Sequence, residues 1–418
     1  MIAFELRPEG TASHADGAHQ LVWPAAGGEN ETVRASMDPW LGVLGAPSDA
    51  ATGLVRIASG AYMADRLSPR RTGFSRTIRL HVQVVDAARW EASCNLVADL
   101  LHWLTSDTWL LELSNDGLER PETELAAEPA ETVALLSGGL DSFCGALLAR
   151  DASPRLLVGH WDNSTIKGAQ DRTWGWLSED GGIGYPYRQI RVTQTEEKRE
   201  ASSRSRALLF TAFAIAAADG TRAAVAEVPE NGFTSLNPPL GANRGGALST
   251  RSTHPWTFHL VRQLLDAVDL AVELRDPHLP RTKGELLAAA VAAGPPSIRD
   301  GAAKTLSCGK LDGRLYPGGN QNHHCGLCVP CLVRRGGFIA SGLPDDTPYL
   351  VNYLAGDSYE KLLSRRGDDV AAVRLALERG FDDVDLAAQG PFPDDFDFDA
   401  ALDLCHRGFE ELRAVPLP

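Results

Sequence analysis

The run Ser137-Gly138-Gly139-Leu140-Asp141-Ser142 lies between a short apolar stretch and a helical one, and that placement restricts this chain more than its size does. The preceding Thr132–Leu136 (TVALL) reads as a strand buried on both faces of a parallel sheet. The residues from about Asp141 to Arg150 read as a helix. Two glycines let the backbone turn tightly and aim N–H groups at a ligand. The helix start adds N–H donors without intrahelical partners, Leu140 among them, and the positive end of its dipole. Ser137 and Ser142 add hydroxyls. Asp141 is out of place beside phosphates unless a cation lies between them, so it is assigned to Mg²⁺. The whole suits pyrophosphate, the leaving group when ATP adenylates an acid. No Lys ends the loop, which excludes the pattern GxxxxGK[ST], and GxGxxG is absent too. The competing reading is an ordinary strand–helix turn with a Ser or Asp cap.

Beyond the loop, strands alternate with helices. Arg155–His160, Tyr187–Val192, Ala223–Val228 and Ala271–Arg275 read as strands; 202–218, 256–270 and 282–293 read as helices. This predicts an α/β fold with a doubly wound parallel sheet, whose ligands sit beyond the carboxyl ends of its strands. Upstream, 79–85 and 109–113 alternate like strands around a helical 88–104, so residues 1–118 are expected to form a small α+β accessory domain. Residues 119–131, charged and carrying Pro121 and Pro129, read as a linker to a catalytic domain over 132–343. Residues 344–418 read as an acidic, partly helical tail, with 390–399 (GPFPDDFDFD) as a solvated surface stretch.

Position along this pattern nominates further residues. His160 follows the second strand, where an adenine ring can sit. Arg206 opens an apolar helix where a cation opposes the dipole, which suggests an anion nearby. Glu230, Asn231 and Asn237 follow the fourth strand and can read a purine-like edge. Arg251 and His254 can hold a carboxylate or phosphate, and Lys283 can reach a phosphate. Each has an alternative as a turn, cap or surface residue.

Cys308, Cys325, Cys328 and Cys331 cluster in a chain with only seven cysteines. Four thiolates suit a closed tetrahedral Zn²⁺ site, structural because no position stays open. His323 and His324 lie between the ligands and read as neighbours.

The SGGLDS run resembles the motif of the PP-loop ATP pyrophosphatases, which implies an adenosine-nucleotide-hydrolase-type sheet and activation of an oxygen as an AMP ester. Adding the late C…CxxCxxC followed by Leu-x-Arg-Arg, Arg206-Ala207-Leu208-Leu209-Phe210 and Thr282-Lys283-Gly284-Glu285, the stretch from about Glu131 to Gly342 resembles the QueC family, the 7-cyano-7-deazaguanine synthases. Ala207 stands where that family has Asn, and Pro229–Leu240 departs from its substrate loop. With the extra terminal segments, the chain looks most like the QatC type of QueC-like proteins from antiviral operons. The resemblance implies ATP, Mg²⁺ and Zn²⁺, a 7-carboxy-7-deazaguanine-like substrate, Asp141, Ser142 and Lys283 as catalytic residues, and a protein encoded nearby as amine acceptor.

Charge narrows the alternatives. Lys plus Arg number 40 against 55 Asp plus Glu, a net −15 that argues against nucleic acid and hence against a tRNA-modifying enzyme. No apolar run is long enough to span a bilayer and no secretory signal is visible, so a cytoplasmic protein is expected. The expected reaction is adenylation of a carboxylate followed by amide formation. The alternatives are ammonia-dependent nitrile synthesis and a non-catalytic nucleotide-binding module. Cys144 faces into the helix after the loop and offers no obvious nucleophile, which favours an adenylate over a thioester.

Overall fold

The computed structural model describes residues 2–70, 75–120, 130–150, 154–201, 204–240 and 248–418. The central sheet has five strands in the order Glu273–Arg275, Val225–Glu227, Thr132–Leu135, Arg155–His160 and Tyr187–Ile190, and every pairing is parallel. All five expected strands are present. The first and fourth strands in sequence lie side by side, so the strand order reverses between them. The loops after these two strands leave the sheet in opposite directions and open a crevice at its carboxyl edge.

The third strand ends earlier than its apolar pattern suggested. Val192–Gln194 leaves the central sheet and pairs antiparallel with Val33–Ala35, which also pairs with Gly28–Glu29. This small sheet joins the N-terminal part of the chain to the centre.

The N-terminal part combines the antiparallel pair Gly28–Glu29 and Val33–Ala35 with a larger parallel sheet. That sheet runs His19–Trp23, Ile2–Pro8, Thr77–Val84, Thr108–Asn115, with parallel pairing throughout. The N-terminal part does not stand apart as an accessory unit. Helix Asp49–Leu67, unanticipated from the sequence, is buried at every residue after Asp49. Its Gly60 lies against Leu6, Leu80 and Val82 of the N-terminal sheet. The same helix packs on Arg206–Thr221 of the central layer, and one apolar core runs through both parts. The charged residues Arg56, Asp65 and Arg66 of helix Asp49–Leu67 are buried in ion pairs with Asp116, Arg76 and Asp162, so its burial exceeds what its own apolar content implies. Arg206–Thr221 is alanine-rich and buried except at Arg206, Ala207, Phe210 and Asp219, in line with its strong helix propensity. Residues 121–129 of the expected linker lie outside the described residues.

The expected acidic tail is folded onto the centre. A single helix, Gly356–Arg379, spans much of it. Helix Phe398–Arg413 buries Ala401, Leu404, Cys405, Gly408, Phe409 and Leu412, packing on Val329–Ser341 and on Gly232–Leu236. The stretch 390–399 is not simply solvated: Phe392 stacks on Phe396 with centroids 4.5 Å apart and on His254 at 4.8 Å. Its aspartates are exposed, Phe392 and Phe396 are half-buried, and Phe398 stays exposed.

Candidate functional site

The crevice at the strand reversal is a cavity of about 350 Å³. Ser137, Gly139, Leu140, Asp141 and Ser142 line one side, Glu230, Thr234 and Asn237 another, and Lys283 a third. Gly138 turns the loop from behind, at φ +82°, where a Cβ would meet the Gln170 amide nitrogen at 3.0 Å. The loop also braces itself. Ser137 N–H donates to Ser142 Oγ at 3.2 Å, the two hydroxyls lie 3.1 Å apart, and Gly139 N–H donates to Ser137 Oγ at 3.3 Å. Helix Leu140–Leu148 starts here, so its first-turn N–H groups have no intrahelical acceptor.

Asp141 and Lys283 form a buried ion pair at 2.6 Å, each side chain 7% exposed. Lys283 is placed by a capped helix start: Thr282 Oγ1 accepts from Glu285 N–H while the Glu285 carboxylate accepts from Thr282 N–H. Glu411, from the last helix, accepts from the Thr282 hydroxyl and from Gly284 N–H. Asn231 donates to Asp141 Oδ2 at 2.8 Å and caps helix Gly232–Leu236 through Thr234 N–H. Burial alone would raise the Asp141 carboxyl, but Lys283 and the donors around it hold it well below the usual carboxylate range. Glu230 shifts the opposite way. Burial and the Asp141 charge push it well above its ordinary value, which favours a protonated, hydrogen-bond-donating carboxyl. Lys283 is raised despite burial, because Asp141 and Glu230 both face it. Behind them burial lifts Asp276 to about 7, although it accepts from His278 and Glu230 N–H and from Ser235 Oγ.

In this structure both Asp141 oxygens face protein donors. Oδ1 is taken by the Lys283 ammonium and Oδ2 by the Asn231 amide. The cation beside the loop is Lys283. The Asp141 and Glu230 carboxylates both line the cavity beside the loop.

Four nominated residues lie elsewhere. His160 is fully buried among Tyr62, Phe210 and Phe213, with Nε2 3.1 Å from the Val192 carbonyl; burial and Arg206 lower its pKa to about 3. Arg206 lies over the Phe210 ring, 4.8 Å from its centroid, beside Asp162 rather than in the cavity. Arg251 stacks on Trp103 at 3.9 Å and donates to its carbonyl. His254 is buried; its Nδ1 accepts from Trp256 N–H and so caps helix Pro255–Ala267. The sequence places these residues correctly after strands or at helix starts, but the N-terminal part and the last segment pack over those positions. Conversely, Leu306, Ser307, Val329, Pro330 and Val333 line the cavity and were not nominated. Their signal was adjacency to Cys308, Cys328 and Cys331.

The four cysteines come together. Their sulfurs all lie within 4.8 Å of one another, with Cys308–Cys328 at 3.9 Å and Cys325–Cys331 at 3.8 Å. A tetrahedral ion with Zn–S bonds of about 2.3 Å sets its sulfurs about 3.8 Å apart, so the donor set fits a metal such as zinc. Backbone N–H groups of Cys325 and Cys328 point at Cys308 and Cys325 sulfurs, as thiolates require. The histidines are neighbours: His324 Nε2 accepts from Ser307 N–H, and His323 lies against Tyr353.

Comparison with known proteins adds a partial likeness. Curated proteins named 7-cyano-7-deazaguanine synthase from Cupriavidus taiwanensis and Cupriavidus necator are each 36% identical to this chain over 73 residues, 18% of this chain and 27% of theirs. One from Cupriavidus pinatubonensis is 34% identical over the same length. The chain thus spans about a quarter of the length of the curated relatives it matches. No family model and no solved structure matches. Among the described residues no helix is long and apolar enough to cross a membrane. What stands is an α/β protein with parallel sheets, a buried four-cysteine centre fit for a metal, and a segment similar to the 7-cyano-7-deazaguanine synthases.

Proposed function

We propose that the chain is an ATP-dependent, AMP-forming carbon–nitrogen ligase that activates a 7-deazaguanine-type carboxylate. The observation that carries this reading is the convergence in one cavity of the glycine turn, a helix start and a buried Lys283 ammonium. The partial likeness to 7-cyano-7-deazaguanine synthases supplies the substrate class. The carboxylate oxygen bonds to the α-phosphorus of ATP, the bond from that phosphorus to the β-phosphate bridging oxygen breaks, and pyrophosphate leaves. Charge grows on the pyrophosphate, where first-turn N–H groups and Lys283 already point, so little reorganisation is needed. An amine then bonds to the acyl carbon, AMP departs with the acyl–oxygen electron pair, and the amine loses a proton. Glu230, Thr234 and Asn237 line the wall suited to the deazaguanine edge.

Two fates of the acyl adenylate differ only in the amine. In the finer reading the amine belongs to a partner protein encoded nearby, as in the QatC-type defence systems that the sequence resembles. The names of the relatives favour the second, in which ammonia and a further ATP give the free nitrile. Zinc in the four-cysteine centre would be structural in both. The test is pyrophosphate release from ATP over a panel of deazapurine carboxylic acids, followed by intact-mass analysis of the chain with candidate partners. Release that depends on one such acid supports the reading. Absence of acid-dependent release across the panel overturns it. A free nitrile without any protein mass shift decides between the two fates.

A further inference from the structure

The four-cysteine centre and the phosphate loop are joined by a short strap. Between helix Ile298–Lys304 and Cys308 the chain runs beside the loop, and Leu306 N–H donates to the Gly138 carbonyl at 2.8 Å. Ser307 Oγ lies 3.5 Å from the Leu140 amide nitrogen and lines the cavity. Both edges of the strap trace to the cysteines. Ser307 N–H donates to His324 Nε2 at 2.9 Å, one residue before Cys325. Arg334, fully buried and one helical turn beyond Cys331, donates to Thr305 Oγ1 at 2.8 Å, to Ser307 Oγ at 3.2 Å and to the Ala302 carbonyl at 2.7 Å. Val329, Pro330 and Val333, from the helix that Cys328 caps, complete that wall.

We infer that the metal centre sets the shape of the phosphate loop through the Leu306–Ser307 strap, with Ser307 as the positioning residue. This deepens the function proposed above, because it takes the loop to be the pyrophosphate seat. The physical argument is that Gly138 is in the left-handed region and a glycine turn has no side chain to hold it there. Its carbonyl is fixed from outside, by a segment whose next residue is a sulfur ligand. Losing the ion frees Cys308, and the tie at Leu306 loosens with it.

Two measurements test this. The first is hydrogen–deuterium exchange of the zinc-loaded and chelator-stripped full chain. Amides of 137–142 should exchange at least tenfold faster after stripping, while those of Thr77–Val84 stay as they were. Unchanged exchange in the loop, or an equal increase in both segments, overturns the coupling. The second is binding of inorganic pyrophosphate to Ser307→Ala and Ser307→Thr, with zinc content measured on the same samples. At full zinc and an unchanged unfolding midpoint, Ser307→Ala should weaken binding about three- to tenfold, and Ser307→Thr should restore it to within about twofold. Wild-type affinity in Ser307→Ala overturns the role of Ser307. A wild-type chain that does not bind pyrophosphate overturns the proposed function, and the exchange comparison, which needs no nucleotide, still decides the coupling.

Discussion

Replacing Lys283 by Met keeps the stem and removes the ammonium, leaving Asp141 buried without its cation. Both side chains are 7% exposed and 2.6 Å apart, so solvent cannot take over the lost interaction. Breaking a buried pair from one side costs about 3–5 kcal/mol, because the remaining charge is uncompensated, whereas replacing both partners is near neutral. Lys283→Met should therefore lose about 3–5 kcal/mol at pH 7, measured by urea unfolding with fluorescence and circular dichroism in parallel. Asp141→Asn alone strands the ammonium and costs a similar amount. The double variant should be no worse than either single one, which gives a coupling energy above about 2 kcal/mol. The pH dependence has a fixed sign. Asp141 is held below its unfolded value, so its contribution is present above about pH 4 and is lost as acid takes the solution through the depressed folded value. Lys283 is raised, so its contribution is present up to about pH 10 and is lost as the pH climbs through the folded value. A cost below about 1 kcal/mol in Lys283→Met, or additivity of the two single variants within about 0.5 kcal/mol, would refute the reasoning.

Other outcomes follow from the same structure. Asp276, with a folded pKa of about 7, contributes stability below about pH 4 that is lost as the pH rises to 7; Asp276→Asn should be more stable than the wild type at pH 8 and not at pH 4, read from unfolding midpoints at both. Gly138→Ala forces a side chain into a left-handed φ against the Gln170 backbone, so about 1–3 kcal/mol of stability and most pyrophosphate binding should be lost, measured by unfolding and by equilibrium dialysis. Metal analysis should find one zinc per chain, falling to none in Cys325→Ser, with a lower unfolding midpoint. His254→Asn keeps a side-chain acceptor at the helix cap, and His254 is not among the residues that line the cavity, so acid-dependent pyrophosphate release should stay within about twofold of wild type.

The local sequence was enough for the features whose determinants are themselves local. A strand followed by two glycines and a helix start makes a turn of N–H donors wherever it occurs, and Ser137–Ser142 does so here. The five central strands were legible from strand segments alternating with helices, and four closely spaced cysteines in a cysteine-poor chain come to one point. Lys283, nominated at the first position of a capped helix, lines the cavity and pairs with Asp141. Tertiary packing decided the rest. His160, Arg206, Arg251 and His254 occupy positions where ligands often sit, yet helix Asp49–Leu67, Trp103 and Phe392 cover them, and no local pattern reports what a distant segment will cover. That helix carries Arg56, Asp65 and Arg66 among its apolar residues, and only the distant partners Asp116, Arg76 and Asp162 let those charges be buried. The acidic ending looked solvated because charge dominates its composition, while Phe392 and Phe396 stack on each other and are half-buried. Ser307 enters the cavity only because the cysteine centre folds its segment back across the loop, a contact spanning 167 residues that spacing along the chain cannot express.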